Sequence, residues 1–281
     1  MLECVPNVSE GRDNARLDRF SAACGPALLD RHVDRDHHRA VFTLAGSDVE
    51  DAVRALARAV ASQLDLRTHA GAHPRLGALD VVPFVALGDE APARAVVAAR
   101  EFARWVAGAL DVPVFLYDAA DPEARTLPDA RRDAFVRRAP DDGPAAPHPA
   151  LGAVAVGARP VLVAVNCELA SDDVVLARRI AAAVRERDGG LPGVRALGLH
   201  LDRAGRAQVS MNLVALELTG LQDACDTVRA QARASGHEVV RVELVGLMPA
   251  DELARCDDGF LAFAGLTDAQ TIEGRLGGRC A

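Results

Sequence analysis

The chain has 281 residues, 50% hydrophobic and 26% charged, with 32 Lys+Arg against 40 Asp+Glu and a formal net charge of −8, a profile that excludes disorder and fibre. Every one of those cations is arginine, so a Schiff-base lysine and the phosphate-loop lysine of nucleotide hydrolases are ruled out. The acidic balance, with one Trp and one Tyr, argues against a nucleic-acid partner.

In chain order, Leu2–Asn7 reads as a strand, followed by a polar helix near Asp13–Ala23 that Asn7 or Ser9 can cap, and by a strand pair, Ala27–Val33 and Ala40–Leu44. Ser47 and Glu50 match the S-x-x-E capping box before an amphipathic helix reaching about Leu64. A Gly- and His-containing loop over 65–77 precedes a fourth strand, Ala78–Leu87, then a helix, Glu90–Leu110, and a strand, Pro113–Tyr117. Pro140–Pro149 has neither helical nor strand period and reads as a linker or as the lining of a groove between subdomains. Beyond it the pattern predicts a strand at Pro160–Leu169 and a helix over Asp172–Asp188. A hairpin follows, Val194–Leu201 and Ala207–Leu213 turning at 202–205, then a helix at Leu218–Ala234 and a strand at Glu238–Leu247. One six-element order thus occurs twice. The expected architecture is α+β, a tandem duplication of two ferredoxin-like βαββαβ subdomains with a cleft between them, over residues 1–159 and 160–281.

Six cysteines, at 4, 24, 167, 225, 256 and 280, form no C-x-x-C pair and read as reduced thiols. The first residues lack the basic start and apolar stretch of a signal peptide, and no apolar run reaches 18 residues, so a cytoplasmic location without membrane contact is expected.

The densest polar constellation runs from His69 through His73, Pro74 and Arg75 to Asp80. Gly71 and Pro74 argue against a helix that would align the two histidines for zinc, leaving either a solvated turn or an imidazole placed as proton shuttle beside an arginine for an anionic substrate. A second cluster, Asp30-Arg31-His32-Val33-Asp34-Arg35-Asp36-His37-His38-Arg39, sits at the strand-pair turn; it fits a charged hairpin tip or, less specifically, a metal-dependent hydrolase.

Six segments taken together, ECVPNVSEGRD (3–13), HAGAHPRLGALDVVPF (69–84), VPVFLYDAA (112–120), RTLP (125–128), GARPVLVAVN (157–166) and AQVSMNL (207–213), resemble the formiminotransferase domain family, in order from residue 3 to about 250. The resemblance implies a tandem ferredoxin-like fold, a homodimer, and transfer of a formimidoyl group between N-formimidoyl-L-glutamate and tetrahydrofolate in histidine degradation, giving 5-formimidoyltetrahydrofolate and L-glutamate. By position it places the catalytic histidine on His73 and the folate-binding segment on Gly143-Pro144-Ala145-Ala146-Pro147-His148-Pro149-Ala150-Leu151-Gly152. It implies no metal, and it links the product to a separate cyclodeaminase that removes ammonia. Asn7, Arg39 and Arg75 are the candidate substrate contacts, the arginines because a planar fork suits carboxylates. The roles of His37, His38 and His69 stay open.

The chain departs from the family pattern at Asp142, where a phenylalanine is common, at Leu151, where many members carry an aromatic, and at His38, where an asparagine is usual. These departures keep a binding module without transferase activity, another acceptor amine, and formyl transfer among the alternatives.

Overall fold

The computed structural model describes residues 1–69 and 75–278; His73 and Cys280 lie outside the described residues. The chain divides into two compact units, Met1–Pro160 and Val161–Ala281.

In the first unit the elements are β1 (Leu2–Cys4), β2 (Asn7–Val8), α1 (Asn14–Cys24), β3 (Leu28–Asp34), β4 (Arg39–Ala45), α2 (Val49–Gln63), β5 (Leu79–Ala86), α3 (Pro92–Leu110), β6 (Val114–Asp118), α4 (Leu127–Asp133) and β7 (Val154–Ala158). The expected first strand is split at Val5-Pro6, since proline has no N–H to give a ladder. Both pieces still pair with β4 and β5. β3 lies outside β4, and β7 runs parallel between β5 and β6, giving a seven-stranded sheet. Neither α4 nor β7 is among the expected elements. Pro140–Pro149 precedes β7 inside this unit, so it is not a linker between the two units.

Strand alternation sorts the residues of β4. Ala40, Phe42 and Leu44 enter the core with Leu17, Phe20, Val53, Leu56 and Phe102 of α1, α2 and α3. Arg39, Val41 and Thr43 therefore project from the opposite face. On that face Val81 and Tyr117 pack with Ala130 of α4 and Ala155 of β7. Each fully buried large apolar side chain stabilises by roughly 1.5–3 kcal/mol, so the core fixes which face is left for polar groups.

Two expected caps are corrected. Asp13 caps α1, accepting from the Arg16 amide, while Ser9 is engaged elsewhere. Ser47 is not the N-cap of α2: the helix starts after Asp48, the Ser47 hydroxyl donates to Asp48 Oδ1 at 2.9 Å, and Glu50 pairs with Arg94. A carboxylate drawn to a guanidinium on another helix is no longer free to close a capping box.

The second unit contains β8 (Val163–Leu169), α5 (Val174–Val184), β9 (Val194–Leu201), β10 (Arg206–Leu213), α6 (Leu221–Ala234) and β11 (Val239–Val245). Its four antiparallel strands lie in the order β11-β8-β10-β9. Counting β1 and β2 as one strand, the first unit repeats this arrangement from β3 to β5. Helix α5 is shorter than expected: Asp173 caps it through the amides of Val175 and Leu176, and a 3-10 turn follows at Glu186–Asp188. Three short helices, α7 (Ala250–Ala254), α8 (Asp258–Ala264) and α9 (Ile272–Gly277), complete the unit and are not expected from sequence periodicity. Cys4, Cys24, Cys167, Cys225 and Cys256 are free thiols. Among the described residues no helix is long and apolar enough to cross a membrane.

Candidate active site

Three motif segments distant in the chain are tied together around Leu76-Gly77-Ala78. Ser9 donates through its hydroxyl to the Gly77 carbonyl at 2.8 Å and through its amide to the Ala78 carbonyl at 2.8 Å. Ala78 in turn donates to the Leu151 carbonyl at 2.9 Å, and Ala153 donates to the Leu76 carbonyl at 3.0 Å. The segment after β2, the stretch following Pro74 and the end of Gly143–Gly152 therefore share one hydrogen-bonded crossing.

The Gly143–Gly152 stretch has its own internal frame. Asp142 anchors its start, its carbonyl accepting from Val114 at 2.9 Å. At its end His148 and Gly152 exchange two backbone hydrogen bonds of 2.8 Å. His148 Nδ1 accepts the amides of Ala150 and Leu151 at 3.2 and 3.0 Å, which requires that nitrogen to be unprotonated. Burial raises the Asp142 carboxyl above its ordinary value, Arg104 opposing and Asp141 adding to the rise.

Beside the crossing lies a cluster of imidazoles, guanidiniums and carboxylates. Glu10 is 2% exposed, and its Oε1 accepts the amides of Gly11, Arg12 and Asp13 at 2.9, 2.8 and 3.1 Å. Burial disfavours its charge, but those amides and His38 outweigh it and hold the carboxyl below the usual range. His38 Nε2 is 3.1 Å from Glu10 Oε1. The neighbouring His37 is buried and turns to a different carboxylate, its Nδ1 lying 2.9 Å from Asp34 Oδ2. The Asp34 carboxyl, despite a burial cost, is held at about 2 by His37 and Arg39. Asp36-His37-His38 therefore does not converge on one point, and among the described residues no group of three or more His, Cys, Asp or Glu is arranged to hold a metal ion.

Of the expected substrate contacts, Arg39 and Arg75 belong to this cluster and Asn7 is directed elsewhere. Arg39 begins β4 opposite Asp34. Burial lowers its pKa, Asp34 and Asp80 oppose that, and Arg131 and Arg75 lower it further. Arg75 shows the same pattern: burial lowers its pKa, Asp80 opposes, and Arg12 and Arg131 add to the fall. Asn7 lies on β2, and its amide donates to the Val5 carbonyl at 3.2 Å. His69 stands before residues 70–74 and contacts Arg75, with Nη1 of Arg75 2.8 Å from Nε2. Burial, then Arg75 and His38, push the His69 imidazole down to about 4.

Sequence reasoning missed Glu10, which the motif at 3–13 contains but which was not read as a carboxylate buried against a histidine. It also missed Arg131: α4 brings it to Asp80, with Nη2 2.5 Å from Oδ2, while Asp80 Oδ1 accepts the Leu76 amide at 2.5 Å. The acidic residue at the end of the HPRLGALD segment was a visible signal for the first half of that arrangement. A partner 51 residues away carried no local signal.

Chemically, the cluster offers neutral imidazole, guanidinium forks suited to carboxylates and a rigid crossing that fixes their backbone. The family model for the formiminotransferase domain, N-terminal subdomain, matches residues 1–159, and that for the formiminotransferase domain matches residues 164–271. A glutamate formimidoyltransferase of Streptococcus pyogenes serotype M1 is 37% identical over 90% of each chain. One of Thermoplasma acidophilum is 34% identical over 98% of this chain and 97% of its own. The formimidoyltransferase-cyclodeaminase of Rattus norvegicus is 37% identical over 89% of this chain and 50% of that protein. With both halves matched and such identity sustained over most of its length, the chain belongs to the formiminotransferase domain family.

Proposed function

We propose that the protein transfers a formimidoyl group between N-formimidoyl-L-glutamate and tetrahydrofolate, with His73 as general acid and base. The observation that carries this reading is the crossing at Leu76–Ala78, which joins the backbone just after the His73-Pro74-Arg75 motif to the end of Gly143–Gly152, the proposed folate segment. Family membership supports transferase chemistry of this type.

The amidine carbon of the donor already carries positive charge, so it is electrophilic without further activation. The folate amine attacks it and a tetrahedral intermediate forms. One proton must leave the attacking nitrogen and one must reach the departing glutamate nitrogen. An imidazole with an ordinary pKa near 6.5 can carry out both transfers. His73 takes this role by its position in the family's motif; His69, pushed down to about 4, is a poor proton donor near neutrality. Arg75 and Arg39 receive the donor's carboxylates, and Asn7 is a further substrate contact through its carbonyl oxygen, its amide being committed to Val5. The reaction needs no metal.

On this reading the two units are copies of one ferredoxin-like βαββαβ unit, the active form is a cytoplasmic homodimer, and a cyclodeaminase consumes the product. Asp142, a half-buried carboxyl where a phenylalanine is common in the family, favours a second reading in which the acceptor is an amine other than tetrahydrofolate. Mixing purified protein with N-formimidoyl-L-glutamate and tetrahydrofolate, and following 5-formimidoyltetrahydrofolate by absorbance, separates the two. Turnover that needs folate supports the first, and turnover only with other amines supports the second.

A further inference from the structure

His69 and Arg75 border residues 70–74, and their side chains meet. Arg75 also donates through Nη2 to the His37 carbonyl at 3.3 Å, so both arms of its fork have fixed partners. Nη1 of Arg75 lies against both ring nitrogens of His69; a guanidinium only donates, so one of them must accept, and the ring is neutral. Behind that ring lies His38, stacked at 3.9 Å between centroids and 19° between planes. His38 has a left-handed backbone, φ 52°, which a residue other than glycine holds when its surroundings over-determine it. Here the surroundings are Glu10, whose carboxylate binds the His38 ring, the first amides before α1 and, at 3.2 Å, Arg16.

We infer that Glu10, His38 and His69 form a positioning stack that aims Arg75 at a carboxylate of the anionic substrate. This rests on the proposed reading in which Arg75 receives that carboxylate. The stack runs from a buried carboxylate through two parallel rings to the guanidinium, and none of its three members needs to touch the reacting amidine. An arginine side chain is rich in rotamers, and a fork already held in its binding orientation loses less of that entropy on association. Removing the stack therefore weakens ground-state and transition-state binding alike, which raises KM and spares kcat.

The test is steady-state kinetics of wild type, His38→Ala, His38→Gln and His69→Asn with each substrate varied in turn, after urea unfolding has established that each variant is folded. The expected result is a rise of about tenfold in KM for N-formimidoyl-L-glutamate in His38→Ala and His69→Asn, with kcat within about twofold and KM for tetrahydrofolate unchanged. His38→Gln, whose planar amide can donate to Glu10 and cover His69, is expected to recover most of the loss. A fall in kcat with donor KM unchanged, or equal shifts in KM for both substrates, would overturn the inference. If wild type does not turn over the donor, the transferase reading itself fails. Calorimetric titration with L-glutamate then still reads the stack, and equal Kd values for wild type and His38→Ala would refute it.

Discussion

Gly77 and Gly152 cross so closely that neither can carry a side chain: a Cβ on Gly77 would run into the Ala153 carbonyl oxygen, and one on Gly152 into that of Leu76. Both obstacles are backbone, which no rotamer change can move. Gly152 also has φ 72°, where any other residue is strained. Gly77→Ala is expected to destabilise the protein by about 3 kcal/mol in urea unfolding. A midpoint within error of wild type would mean that the crossing yields easily and is not a rigid frame.

Asp80 ties the other side of the same stretch. Its side chain is 3% exposed, and it accepts from Leu76 while pairing with Arg131, which is 19% exposed. Asp80→Asn keeps an acceptor for Leu76 but removes the charge facing Arg131. A loss of about 3 kcal/mol is expected from equilibrium unfolding, since removing one partner of a mostly buried pair leaves the other charge poorly compensated. A loss below about 0.5 kcal/mol would class the pair with weak surface bridges.

The pH dependence of stability has a definite sign. The folded-state pKa of His69, about 4, lies below its ordinary 6.5, so the unfolded chain binds its proton first. His69 therefore contributes stability fully above pH 6.5, and that contribution declines as pH falls toward 4. Glu10, held below its ordinary 4.5, adds a second loss at lower pH as its carboxylate protonates. Denaturant midpoints measured from pH 7 to 4 should fall, and His69→Gln should flatten the slope between 6.5 and 4. An NMR titration placing His69 near 6.5 would contradict the arrangement.

His148 orders the end of the proposed folate segment through its ring nitrogen. Replacing it with alanine removes the ring nitrogen that accepts the amides of Ala150 and Leu151. The expected cost is about 1–3 kcal/mol if those amides become unsatisfied and buried, and less if water reaches them. Weaker tetrahydrofolate binding should accompany it in fluorescence titration. His148→Asn, whose carbonyl can accept in the same place, should restore part of the affinity; no change in affinity with alanine would separate this segment from the folate site.

The four strands and two longer helices of the second unit were legible in the sequence because the hairpin strands alternate and their turn carries Gly and Asp at 202–205, whereas the short helices after Leu247 were not. Val154–Ala158 was not, since five small residues on a strand buried on both faces show no alternation to read. The Ser47-x-x-Glu50 match failed because the pattern is local while the Arg94 that takes Glu50 is 44 residues away. The same reason hid Arg131 from Asp80. In the cluster, Arg39 and Arg75 could be picked out by charge and position, whereas the amide of Asn7 turns back to Val5 at the break between β1 and β2, which no spacing announces. Glu10 escaped notice because only the fold shows that it is buried against His38.

In the proposed reaction an imidazole at His73 moves the protons of a folate-dependent formimidoyl transfer. The most direct measurement is the rate of 5-formimidoyltetrahydrofolate formation by wild type and His73→Ala, with urea unfolding run on both. A wild-type rate that requires tetrahydrofolate, falling about 10²–10⁴-fold in a variant of unchanged stability, is the predicted result. A His73→Ala enzyme that turns over as fast as wild type would contradict it.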